Sequence, residues 1–158
     1  SALESAIEKL NSPVEMIVDA MQGFDCNLTD LYEDNYMTQD YDGPISSIKN
    51  RITNMISWSN QISNNNSKQI WSLDIPSGYD SSSGLRNFEL AVEATGILNT
   101  EWPLTSIHNV KADLPARLQE SVVIDMGTPQ RVYSQRTSLR KFQACDLFVT
   151  EGHQSLEL

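Results

Sequence analysis

Three aspartates close apolar, strand-like runs: Ile17-Val18-Asp19-Ala20, Ser72-Leu73-Asp74-Ile75 and Val123-Ile124-Asp125-Met126. A glycine follows each acid by two to four residues, at Gly23, Gly78 and Gly127. Carboxylates gathered at one sheet edge bind a cation, exchange a proton or hold a ribose hydroxyl. Crowding there raises the pKa of at least one, which suits a general acid or base. The glycines would let backbone approach a ligand closely, and a helix after Thr128 would offer free N–H groups to an anion. A plainer reading makes Asp74 a turn cap at a strand end. The chain has no G-x-G-x-x-G, no G-x-x-x-x-G-K-[ST] and no G-x-S-x-G, and neither His108 nor His153 sits in a recognisable nucleophile arrangement. A ligand crevice is therefore expected, and an enzyme does not follow from these residues.

Positioning those acids falls to alternating strands and helices. Ala2–Asn11 has helical spacing at Leu3, Ile7 and Leu10, and Ser12-Pro13 ends it. Val14–Ala20 reads as a strand buried on both faces. Pro44–Ile62 reads as a helix with Ile45, Ile48, Ile52, Met55, Ile56 and Ile62 on one stripe, broken at Ser59 and stopped by Asn64-Asn65-Asn66-Ser67. Gln69–Ile75 is the next strand, closed by Pro76 and Gly78. Together they predict a right-handed βαβ unit with Asp19 and Asp74 at the same sheet edge. Phe88–Ala94 is expected as a third strand, with Glu89 and Glu93 on one side. Asn99–Glu120, interrupted by Pro103 and Pro115, shows only weak helical spacing at Ile107, Val110 and Leu114. Ser121–Asp125 is a strand, Thr128 caps a helix that begins at Pro129, and Ala144–Thr150 is a closing strand before a polar tail, 152–158.

The chain has 158 residues and carries 11 basic residues against 21 acids, a formal net charge of -10. That fits one domain with a substantial core. Gln22–Gly43 holds six acids (Asp25, Asp30, Glu33, Asp34, Asp40, Asp42) and no Lys or Arg. This acidic loop, 22–43, is either a solvated surface or a docking surface for a basic partner, and it repels phosphate. No apolar run reaches the roughly 18 residues a membrane helix needs. Cys26 and Cys145 have no ligand spacing with a histidine, and read as reduced cytosolic thiols.

Ile17-Val18-Asp19-Ala20 followed by Gly23, Gly43-Pro44, Leu73-Asp74-Ile75-Pro76-Ser77-Gly78-Tyr79-Asp80 and Asp125-Met126-Gly127-Thr128-Pro129-Gln130, in this order, resemble the YjeF N-terminal domain family. The resemblance implies a Rossmann-like three-layer α/β/α fold with a mostly parallel sheet. The family's amino-terminal half, with its G-G-N-N-G-G-type loop, is not represented, so residues 1–158 are expected as a partial domain, the carboxy-terminal two-thirds.

Two branches are implied. In the NAD(P)HX epimerases, Asp74 would match the catalytic acid, Asp19 and Ser77 the ligands of a potassium ion, and Gly23, Gly78 and Gly127 would line the site of an NAD-like nucleotide. In the scaffold branch of the mRNA decapping machinery the domain dimerises. Met126-Gly127-Thr128-Pro129-Gln130-Arg131-Val132 resembles the close of that branch. Met21-Gln22-Gly23-Phe24-Asp25 departs from the epimerase loop and places an acid where phosphate is expected. The scaffold branch is therefore the expectation: a cytoplasmic homodimer of processing bodies, without measurable epimerase turnover. Its implied partners are the decapping enzyme, its activators and an RNA helicase of the decay machinery. RNA contact would be weak or indirect, at Arg131, Arg136, Arg140 and Lys141.

Overall fold

The computed structural model describes residues 5–7, 9, 13–23, 25, 27–29, 45–100, 102–135, 137, 140–141, 148 and 153–157. Along these run β1 (Met16–Asp19), α1 (Ile45–Asn66), β2 (Gln69–Leu73), β3 (Gly96–Thr100), α2 (Ile107–Asp113), β4 (Glu120–Ile124), α3 (Gln130–Ser134) and β5 (His153–Leu156). The strands form one sheet in the order β1-β2-β3-β4-β5. The first four are parallel and β5 joins β4 antiparallel. This is the mostly parallel, Rossmann-like architecture expected. No helix among the described residues is long and apolar enough to cross a membrane.

Each parallel connection advances one strand in the same direction, so right-handed crossovers place every connection on one face of the sheet. The registers agree. Ile17 lies opposite Ile70, and Ser72 opposite Ile97, so these residues share a face. Over that face pack α1, through Ile52 and Ile56 with Phe88 and Val92, and α2, through Ile107 and Val110 with Ile97 and Tyr79.

Helix α1 changes character along its length. Ile52 and Ile56 are buried, Ile48 and Ile62 half-buried, and Met55 is exposed despite its place on the expected stripe. Past Ile56 the buried face turns polar, at Ser59, Asn60 and Ser63. Asn60 Nδ2 donates to the Ala91 carbonyl at 3.0 Å, and its Oδ1 accepts from Glu93 N–H at 3.0 Å. The triple asparagine does not stop the helix, which runs to Asn66 and ends where Ser67 takes φ 52°.

The expected third strand at Phe88–Ala94 is an irregular segment. Its buried residues, Phe88, Ala91, Val92 and Ala94, do not alternate, and Asn60 and the Ser77 carbonyl hold its backbone in place of a ladder. The strand lies beyond it, at Gly96–Thr100, where a Cβ on Gly96 would sit 2.7 Å from the Trp71 ring. The interval Asn99–Glu120 resolves into the end of β3 and helix α2.

Val14–Ala20 is not buried on both faces. Among the described residues β1 is the outermost strand of the sheet, and Met16 and Val18 are 52% and 57% exposed on the side away from α1. Helix α3 starts after Pro129 without a side-chain cap, so Thr128 does not play the expected part. The segment 152–158 keeps its polar character and yet supplies β5. The expected helix Ala2–Asn11, most of loop 22–43, Pro44 and most of Ala144–Thr150 lie outside the described residues.

Candidate functional site

β1 carries Asp19 into the interior at the carboxyl end of the sheet, where it is 4% exposed. Its Oδ2 accepts from Ser72 Oγ and from Ser77 N–H, both at 2.8 Å. Its Oδ1 accepts from Ser77 Oγ at 2.6 Å and from Met21 N–H at 3.3 Å. Ser72 faces Asp19 in the β1–β2 register, which is why that hydroxyl is within reach. Four donors, drawn from the ends of both strands, satisfy this buried carboxylate.

Gln22, three residues on, completes the same joint. Its Nε2 donates to the Tyr79 carbonyl at 2.6 Å and its Oε1 accepts from Gly78 N–H at 3.0 Å. Sequence reasoning noted Gln22 only as part of a divergent loop. Its signal was a long amide among small and apolar residues at a strand exit, between Asp19 and Asp25. Gly78 has φ +99°, and a Cβ there would stand 2.7 Å from Ala91 Cα. Its bareness serves the close approach of segment 88–95, not that of a ligand.

Asp74 goes elsewhere. It takes φ 57°, a left-handed conformation that aspartate and asparagine adopt more readily than other side chains, and its N–H donates to the Leu98 carbonyl at 2.8 Å. Its Oδ1 accepts from Thr100 N–H and Thr100 Oγ1, each at 2.7 Å, and its Oδ2 is 2.8 Å from the same hydroxyl. Asp74 thus ties the end of β2 to the end of β3. Asp125 turns back on its own loop and accepts from Gly127 N–H at 2.7 Å. Gly127 has φ +69° with open space about its α-carbon, and Gly23 is exposed.

The three aspartates therefore share an edge without sharing a site. Of the expected set, Asp19 meets Ser77 across two strands and Asp125 meets the Gly127 amide within its own loop, while Asp74 joins neither pair. No group of three His, Cys, Asp or Glu side chains able to hold a metal occurs among the described residues. As arranged, Asp19 and Ser77 do not fit a potassium shell: four protein donors already occupy the carboxylate oxygens, and the Ser77 proton points at one of them.

Next to this joint, Tyr79 is fully buried. Its phenol donates to Asp113 Oδ2 at 2.5 Å, and Arg86 Nε donates to the same oxygen at 2.6 Å while its guanidinium lies 5.7 Å from the Tyr79 ring centre. Burial first, and the bond to Asp113 second, push the Tyr79 pKa far above its ordinary value. The Tyr79 hydroxyl and then Arg86 hold Asp113 below the usual carboxylate range.

An open cleft of about 180 Å³ lies away from the aspartates, lined by Pro103, Leu104, Ile107, His108, Ser121 and Leu156 among others. Arg131, Arg140 and Lys141 are exposed, and Arg136 lies outside the described residues.

The family model described as YjeF-related protein N-terminus matches residues 1–106. The chain is 52% identical over 160 residues to Enhancer of mRNA-decapping protein 3 of Saccharomyces cerevisiae. That alignment takes in 100% of this chain and 27% of the relative, so the chain spans about a quarter of that protein's length. No solved structure gives a significant match.

Proposed function

The chain belongs to the YjeF-related protein N-terminus family, and from that premise we propose that it is a scaffold module of the mRNA decapping machinery. The observation that carries this reading is the 52% identity to a decapping enhancer, sustained over the whole chain. The geometry supports it from the other side. Epimerase chemistry would need Asp74 aimed at a substrate, and both its oxygens are engaged by Thr100. The Leu73–Gly78 block is intact as sequence, yet both of its polar side chains, Asp74 and Ser77, have partners within the fold.

In the finer reading, the module works in the cytoplasm, in processing bodies, and self-associates. An isologous pair is the usual form of such an assembly. Its partners are the decapping enzyme, its activators and an RNA helicase of the decay machinery. RNA contact is weak or indirect, because 21 acids oppose 11 basic residues.

The test compares the full-length protein with a form lacking these residues. Sedimentation and co-precipitation of the decapping enzyme are expected to show smaller complexes and weaker recovery when the module is removed. NAD(P)HX epimerisation, assayed on the same preparations, is expected to be absent. Turnover that disappears in Asp74→Asn would replace the scaffold reading with the epimerase one. Asn tolerates positive φ, so that variant keeps the backbone turn.

A further inference from the structure

We infer that the carboxyl edge of the sheet at β3 and β4, with α3 beside it, is a docking surface for an acidic peptide segment of another protein, anchored by apolar side chains. This goes beyond the decapping reading and does not depend on it. Thr100 and Ile124 are the last registered pair of β3 and β4. Two residues past each, Trp102 and Met126 are 40% and 58% exposed. Helix α3 adds Val132, 45% exposed, while its neighbour Tyr133 is buried and meets the Trp102 ring edge to face, centroids 6.4 Å apart at 87°. That contact sets the orientation of Trp102. A fixed, partly exposed tryptophan beside a helix that carries an exposed arginine has the residue make-up of a binding hot spot.

Charge selects the occupant. The chain as a whole is at -10, yet between Asp125 and Asp146 it carries Arg131, Arg136, Arg140 and Lys141 and no acid. Arg131 is exposed in α3 directly beside Val132, and Arg140 and Lys141 are exposed further along. An apolar surface with an exposed arginine on its helix and a run of cations following in the chain, on an otherwise acidic molecule, complements a segment that mixes carboxylates with leucine- or phenylalanine-like anchors. RNA fits less well. Bases bind by stacking on flat aromatic faces. Trp102 is the one aromatic among the exposed large apolar side chains of the described residues, with Met126 and Val132 aliphatic. The net charge also opposes a polyphosphate more strongly than a short peptide.

The experiment uses full-length protein and a short fluorescein-labelled peptide of Asp, Leu and Phe, read by anisotropy. Companion probes replace Asp by Lys, or Leu and Phe by Ser, and a labelled oligouridylate is run alongside. The acidic apolar peptide is expected to bind, to protect amides in β4 and α3 from exchange, and to lose about tenfold or more in affinity in Trp102→Ser and in Arg131→Glu. Both companion peptides are expected to bind more weakly. No binding of the acidic apolar peptide, or equal binding to both variants, would overturn the inference. So would oligouridylate binding more tightly than the peptide and weakening in Arg131→Glu. Should Trp102→Ser fail to fold, Met126→Asp and Val132→Asp, both at exposed positions, carry the same expectation.

Discussion

At the scale of single residues, the strongest commitments are those of Asp19 and Tyr79. Asp19 gathers four donors, and removing its carboxylate leaves buried N–H and hydroxyl groups with nothing to accept them. Asp19→Ala is expected to destabilise the module by about 3 kcal/mol in urea unfolding, against about 1 kcal/mol for Ser77→Ala, which leaves the other donors in place. Tyr79 makes a pH-dependent contribution. Its pKa is raised in the folded state, so its share of stability is fully present below the phenol's ordinary 10.0 and is lost as pH rises beyond it, when the unfolded chain ionises and the folded chain does not. Above about pH 10 the melting temperature of the wild type should fall more steeply than that of Tyr79→Phe. A parallel decline in the two proteins would remove the assignment.

Among the elements, α1 does two jobs with one face. Ile52 and Ile56 bury apolar surface, and one turn further Asn60 grips the backbone of the irregular segment 88–95. Asn60→Ala is expected to cost about 2 kcal/mol, because the Ala91 carbonyl and the Glu93 N–H lose their partner in a buried place. Amide exchange should then quicken around Ala91–Thr95 before the rest of the sheet, and uniform acceleration would argue against a local grip.

This polar stretch also marks where sequence reading reached its limit. Helical spacing disclosed α1, and β-branched runs disclosed β1, β2 and β4, since those periodicities are written in the side chains. Segment 88–95 has the composition of a strand, but Asn60 holds it from outside any ladder, which composition alone does not reveal. The true third strand opens with Gly96, a residue that weakens the signal and is needed because Trp71 lies against it. The aspartates were legible as strand ends. Their separation was not, because each carboxylate turns toward whichever donor is nearest: Ser77, Thr100 or the Gly127 amide.

On the scale of the whole molecule, spatial order in the sheet repeats order along the chain. Synthesis delivers the strands from the amino-terminal end onward, and the domain folds as a unit. In many doubly wound sheets a middle strand must wait for a neighbour that is made much later. Here β2 finds β1 already made, β3 finds β2, β4 finds β3, and β5 closes against β4. No described strand has to be left open to receive a later one. Each described strand thus pairs with the one made just before it, and chain order alone leaves no gap in this sheet for a later strand to fill.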